Sequence, residues 1–239
     1  LPESFGNLRR LKRVQVDQNK LTRLPESFGN LSELREARLN RNKLQFLPDS
    51  VVRLRNLTTL LVSENKLNIL PDTFGELLSL EDLYLSHNRL ARLPGTFGDL
   101  RALHVADLAN NRLQCLPDEI GQLRSLVHLN LCVNDLLCLP ESIGQLEQLE
   151  RLIIRGNWRI TNLPASFILL AKLETPCRDE AHREVSENAA RIAKGKGKGN
   201  GKGKGKGKGA WTGKGKGKGA GTGKRTGTGK GKSRQAGGY

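Results

Sequence analysis

Residues 80–102 read LEDLYLSHNRLARLPGTFGDLRA, and the rest of the chain is organised around that line. Its Asn88 is one of a series, Asn19, Asn42, Asn65, Asn88, Asn111, Asn134 and Asn157, with members 23 residues apart. Leu-Pro pairs ending at Pro2, Pro25, Pro48, Pro71, Pro94, Pro117 and Pro140 keep the same spacing, and units start at Leu11, Leu34, Leu57, Leu80, Leu103, Leu126 and Leu149. The common rule is L-x-x-L-x-L-x-x-N-x-L-x-x-L-P-x-x-F-G-x-L-x-x. Seven units carry it, behind a partial one at 1–10, LPESFGNLRR. A fixed period of this length marks a solenoid of stacked units.

Each position has a physical reason. The pair around Tyr84, Leu83 and Leu85, predicts a short strand with apolar side chains on alternate positions. Stacked units pair these strands in parallel at about 4.8 Å per rung. One strand is too short to enclose a core, so burial comes from neighbouring rungs. The Asn turns the chain, and its amide can satisfy backbone groups of its own and adjacent rungs as a buried ladder. Leu-Pro forces an extended residue and presets the next turn. Phe28, Phe74, Phe97, Ile120 and Ile143 place an apolar side of a short helical segment on the core. The glycines that follow them (Gly29, Gly75, Gly98, Gly121 and Gly144) allow close backbone approach. Val52 stands where one unit would have that Gly, a change the convex side is expected to tolerate.

These motifs resemble the leucine-rich repeat superfamily, and within it the 23-residue L-P-x-x-[FI]-G-x-L class of intracellular scaffolds. That class includes Ras-pathway scaffolds, plant intracellular Ras-group proteins and Scribble/Erbin polarity proteins. The resemblance covers residues 1–173. It implies an α/β architecture: a right-handed curved solenoid with short parallel strands on the concave face and short helical or 3-10 segments on the convex face. It also implies a non-enzymatic scaffold or adaptor in intracellular signal transduction, in the cytoplasm, or in the nucleus given the basic tail. A small GTPase, kinase or phosphatase subunit is the partner class it suggests. The repeat residues themselves are structural and do not name that partner.

Composition divides the 239 residues sharply. All 24 acids lie at or before Glu187 with 25 of the 40 Lys and Arg, so residues 1–193 carry +1. The last 46 residues hold 13 Lys, 2 Arg, 19 of the 27 Gly and no acid, which makes +15 of the total +16. Three regions follow: the repeat domain at 1–174, a capping helix at 175–193 and a Gly/Lys tail at 194–239. Thr175 and Pro176 form a helix start, and Ala181, Val185, Ala189 and Ile192 share one helical face. A helix that recognises a partner is the alternative there. The partial repeat at 1–10 and the lack of Met suggest a fragment with an N-terminal element missing. The tail is too polar and self-repelling to fold. As a coil it would span roughly 35–40 Å.

Several functions are excluded or disfavoured. No run of 18 apolar residues exists to span a bilayer. Phosphate-loop-like strings in the tail follow no strand and arise from its two-letter composition. His87, His104, His128 and His182 have no nucleophile placed by motif beside them, so no catalytic site, metal or cofactor is expected. The four cysteines, Cys115, Cys132, Cys138 and Cys177, form no C-x-x-C pair. Cys115 and Cys138 share a column on adjacent rungs and read as stacked, reduced, half-buried thiols. An extracellular receptor fragment, with sequons at Asn30 and Asn56, is a rival reading that lacks cysteine caps.

Two surfaces can take partners. On the concave face the first two rungs are basic (Lys12, Arg13, Arg35, Arg38, Arg41), whereas Glu64, Glu81, Asp82 and Asp107 make rungs three to five acidic without Lys or Arg. Leu61 and Tyr84 lie side by side there. The candidate protein-binding residues are Leu61, Glu64, Glu81, Asp82, Tyr84, Asp107, His128 and Arg38, an aromatic and apolar centre ringed by charge. In the tail, Lys196, Lys198, Lys202, Lys204, Lys206 and Lys208, with Trp211, would attract nucleic acid or another polyanion without sequence specificity. A solubilising spacer is the alternative. Lys20, Lys43, Lys66, Arg89 and Arg112 follow the ladder Asn in successive units and read as a solvated edge, with a phosphate-binding strip the lesser option.

Overall fold

The computed structural model describes residues 1–173. Seven strands form one parallel sheet in chain order: β1 Arg13–Gln15, β2 Glu36–Arg38, β3 Thr59–Leu61, β4 Asp82–Tyr84, β5 Val105–Asp107, β6 His128–Asn130 and β7 Arg151–Ile153. The register advances 23 residues per rung, so Tyr84 faces Leu61 on one side and Asp107 on the other. The strands are shorter than the alternation suggests: Leu85 lies beyond β4 but continues the ladder by donating its N–H to the Asp107 carbonyl at 2.8 Å. This is the expected leucine-rich repeat solenoid. The helix expected at 175–193 and the tail at 194–239 lie outside the described residues.

Inside the sheet runs the asparagine ladder. Asn88 Nδ2 donates to the carbonyls of Leu85 in its own rung (3.0 Å) and Val62 in the rung before (3.0 Å), while its Oδ1 accepts the Leu67 N–H (2.9 Å). Asn42, Asn65, Asn111, Asn134 and Asn157 repeat this pattern. All six are buried. Asn19, in the first full unit, is exposed and bonds only within its own rung. The residue just before each Asn turns the corner in the left-handed region: Gln18, Arg41, Glu64, His87, Asn110 and Val133 have φ of 53–57°, and Gly156 has 77°. Val133 is the unusual occupant, because a branched β-carbon makes this conformation costly.

The convex side is built from 3-10 turns, most of them introduced by an extended Pro such as Pro94 (φ −67°, ψ 152°). Phe28, Phe74 and Phe97 are fully buried, and Phe74 stacks on Phe97 at 6.4 Å between ring centroids. The turns stack only because of the glycines: a Cβ on Gly98 would lie 2.2 Å from the Glu119 carbonyl oxygen, and one on Gly29 the same distance from that of Ser50. These glycines face the residue 21 positions on, or 22 for Gly144 above the unit with the extra residue, and the same offset places Thr73 opposite Val52. There the stack gives way. The regular 3-10 segment covers only Phe74–Glu76, behind Thr73 (φ −94°, ψ 18°), although the Phe74 N–H still donates to the Pro71 carbonyl at 3.0 Å as in the other rungs. The convex side thus accommodates Val52 with the Pro71–Phe74 turn bond kept and a shorter regular segment after it.

Two further features follow from local spacing. The extra residue after Asn157 leaves Trp158 80% exposed while Ile160 takes the buried leucine position. The expectation of half-buried thiols at Cys115 and Cys138 is corrected. Both are exposed, because Leu116 and Leu139 take the inward direction on those loops.

Asn88→Ala is expected to destabilise the fold by about 2–4 kcal/mol, since it orphans a buried N–H and carbonyls on two rungs at once. Gly98→Ala should cost about 1–3 kcal/mol through overpacking. Denaturant unfolding followed by circular dichroism checks both, and an Asn88→Ala protein as stable as its parent would contradict the ladder's role.

Candidate protein-binding face

Positions β3 to β6 turn toward the concave side form a lattice whose spacing is fixed by the ladder. Along β4, Asp82 and Tyr84 point to the same face two residues apart. Across the rungs, Leu61, Tyr84 and Asp107 are direct neighbours, and Asp82, Val105 and His128 form the parallel row. Leu61, Asp82, Tyr84, Val105, Asp107 and His128 are all half-buried, so this centre is sheltered by its neighbours on the sheet. Glu81 and Glu64 are exposed at its border, Glu64 from the left-handed corner.

Hydrogen bonding separates carboxylates already engaged from those that are not. Asp107 Oδ1 accepts from Asn130 Nδ2 at 2.9 Å and from the Ala109 N–H at 3.2 Å. Its other oxygen has no partner among the described residues. Asn130 in turn accepts the Cys132 N–H at 3.1 Å, so Asp107 is held by an anchored neighbour. Asp17 and Asn40, at a position two residues further along their units, instead tie rungs together, each accepting an N–H from the next rung at 2.8 Å.

The basic end is largely self-satisfied. Glu36 pairs with Arg13 at 3.2 Å and with Arg38, and Glu64 pairs with Arg41 at 2.9 Å. Arg38 therefore lies beside Leu61 in register but is tied back to Glu36. No Lys or Arg pairs with Glu81, Asp82 or Asp107 among the described residues. Burial raises the Asp82 carboxyl above its ordinary value, with Glu81 adding repulsion and His104 partly offsetting it. Burial likewise raises the Tyr84 phenol, with Asp82 and Asp107 contributing. His128 adds a buried Nδ1 with no hydrogen-bond partner.

The structure thus brings Leu61, Asp82, Tyr84, Asp107 and His128 together, puts Glu64 and Glu81 at the margin and diverts Arg38 into an ion-pair network. Lys196, Lys198, Lys202, Lys204, Lys206, Lys208 and Trp211 lie outside the described residues. Val105 and Asn130 join the centre although sequence reasoning left them out of it. The 23-residue offset could have found both, since Asn130 follows Asp107 by one period and Val105 follows Asp82 by one. Among the described residues there is no group of three or more His, Cys, Asp or Glu able to hold a metal ion, and no helix is long and apolar enough to cross a membrane.

With this geometry in view, similarity to known proteins is consistent. A family described as a leucine-rich repeat region matches residues 2–89, and the Leucine Rich Repeat family matches 79–100. A leucine-rich repeat protein of Leptospira interrogans is 31% identical with a TM-score of 0.66, over 74% of this chain and 51% of that one. The ectodomain of the Arabidopsis thaliana receptor kinase GASSHO1/SCHENGEN3, solved with CASPARIAN STRIP INTEGRITY FACTOR 2, is 28% identical (TM-score 0.62; 73% of this chain, 22% of that one). The Arabidopsis receptor kinase HAESA, solved with the peptide hormone IDA and the co-receptor SERK1, is 30% identical (TM-score 0.55; 64% and 26%). The chain spans about half the length of the Leptospira protein and less of the two receptors. Comparison with curated protein sequences found no match. The chain is a leucine-rich repeat protein. That fold is commonly a protein–protein interaction module and is typically non-enzymatic.

The raised Asp82 carboxyl has a sign that can be tested. Because its folded value lies above the ordinary 3.8, the folded state holds this proton more tightly than the unfolded chain. Stability from this group is greatest below the unfolded value and falls as pH rises through the folded one. Asp82→Asn is therefore expected to be at least as stable as the parent at neutral pH, with the difference shrinking as pH falls below 3.8. Thermal unfolding across pH measures this, and a loss of stability in Asp82→Asn at neutral pH would make Asp82 a structural residue.

Proposed function

We propose that this protein is a non-enzymatic scaffold or adaptor that captures a protein partner on the concave sheet, in intracellular signalling and in the cytoplasm. The observation that carries the reading is the centre itself: an aromatic ring and apolar side chains on a rigid lattice, flanked by carboxylates that pair with no Lys or Arg among the described residues. Large half-buried groups ringed by charge are what a binding hot spot requires. Rigid rungs keep the conformational entropy lost on docking small. The complexes of similar receptors, one with CASPARIAN STRIP INTEGRITY FACTOR 2 and one with the peptide hormone IDA, support a protein or peptide as the occupant. By family resemblance a small GTPase, kinase or phosphatase subunit is the class to test first.

The double substitution Tyr84→Ala with Asp82→Lys is expected to abolish partner capture from nuclease-treated lysate while leaving the melting curve in place. Retained capture of the same discrete protein set would move the interface off this centre.

The charge of the tail, +15 over residues 194–239 with no acid, favours a second reading as a polyanion-associated protein. Single-stranded RNA should then bind the whole chain but not residues 1–193, with affinity falling steeply as salt rises. Equal binding by the two in an anisotropy titration would remove the tail from that role.

A further inference from the structure

Resting on the reading of the concave face as a partner site, we infer that the Asp82–Tyr84–Asp107 cluster is a receptor for an arginine side chain presented by a peptide segment of the partner. Three observations converge on that chemistry. Asp107 is one rung from Tyr84, and Asp82 is two residues back along the same strand, so two carboxylates bracket one phenol ring. Among the described residues neither pairs with a Lys or Arg, in contrast to Glu36 and Glu64, which pair with Arg13, Arg38 and Arg41. Asp107 is held through Oδ1 by Asn130 and Ala109, which leaves its second oxygen as an acceptor of fixed direction.

The flanking side chains narrow the choice of cation. Leu61 and Val105, both half-buried, border the cluster on the Tyr84 and Asp82 rows. A lysine ammonium is compact and strongly hydrated, and gains little from a ring and an apolar border. A guanidinium is planar and weakly hydrated; it can lie on the Tyr84 face, direct its fork at a carboxylate and lay its methylenes on Leu61 or Val105. Sheltered carboxylates also make charge-assisted hydrogen bonds of the stronger kind. The exposed Glu81 and Glu64 would then attract the basic segment during approach.

Random linear dodecapeptides displayed on phage are the probe, panned on the full chain and counter-selected on the full chain carrying Tyr84→Ala. Subtraction removes peptides held elsewhere, including those bound to the tail. Clones that depend on Tyr84 are expected to be enriched in Arg over Lys. Replacing that Arg by citrulline should weaken binding about 10- to 100-fold. Asp82→Asn with Asp107→Asn should weaken the parent peptide comparably, and leave little further loss when combined with citrulline. Tyr84-dependent clones that show no Arg preference, or that tolerate citrulline, would overturn this inference and leave the concave face standing as a partner site. No Tyr84-dependent clones at all, with Tyr84→Ala still folded by circular dichroism, would overturn both.

Discussion

The buried asparagine amide is the interaction on which the rest of this structure depends. A carboxamide offers two donors and an acceptor, and each ladder Asn from 42 onward uses them across its own rung and the one before. Being buried, it cannot exchange those partners for water, so a slipped rung would strand several backbone groups at once. This fixes the 23-residue offset between neighbouring strands. It also requires the left-handed corner just before each Asn, so that position accepts Val133 at a local cost rather than changing its geometry. With the interior so constrained, the side chains at the third and fifth position of each unit are left free of packing duty.

That division explains what could be read from sequence. Interior positions repeat because every rung solves the same packing problem, so the strands, ladder, convex glycines and Leu-Pro turns are all legible from spacing alone. Departures from the rule were visible as substitutions, but their effect was not. Val52 was expected to be tolerated. The close approach at the neighbouring glycines marks that contact as tight, and the regular segment opposite is shorter, Phe74–Glu76. Cys115 and Cys138 could be assigned a column, whereas their direction depended on which residue of each loop the core claims.

The binding face was legible in membership and less so in state. Charge counting identified an acidic centre beside a basic end, yet treated Arg38 and Glu64 as open to a partner. In the structure both spend their charge within the chain, Arg38 on Glu36 and Glu64 on Arg41. Side-chain geometry decides such pairings, and long flexible arginines reach neighbours that a column assignment does not indicate. Short carboxylates behave differently. Asp82 and Asp107 cannot reach the arginines of rungs one and two, so their isolation follows from position.

An acidic centre of this kind is unfavourable for the free protein. Burial and Glu81 both oppose the charge on Asp82, and Tyr84 is affected in turn by the two carboxylates beside it. A sheet held together by these strands alone would relieve that repulsion by spreading or twisting. Here the strands are three residues long and their separation is set from beneath by the ladder and the leucine core. That geometry therefore persists in the unbound state, where burial first and Glu81 second disfavour the Asp82 charge and His104 partly offsets them. A short-stranded solenoid with a rigid interior can thus hold sheltered carboxylates on its sheet face in a fixed geometry, because the positions beneath them are set by the ladder and not by the charges themselves.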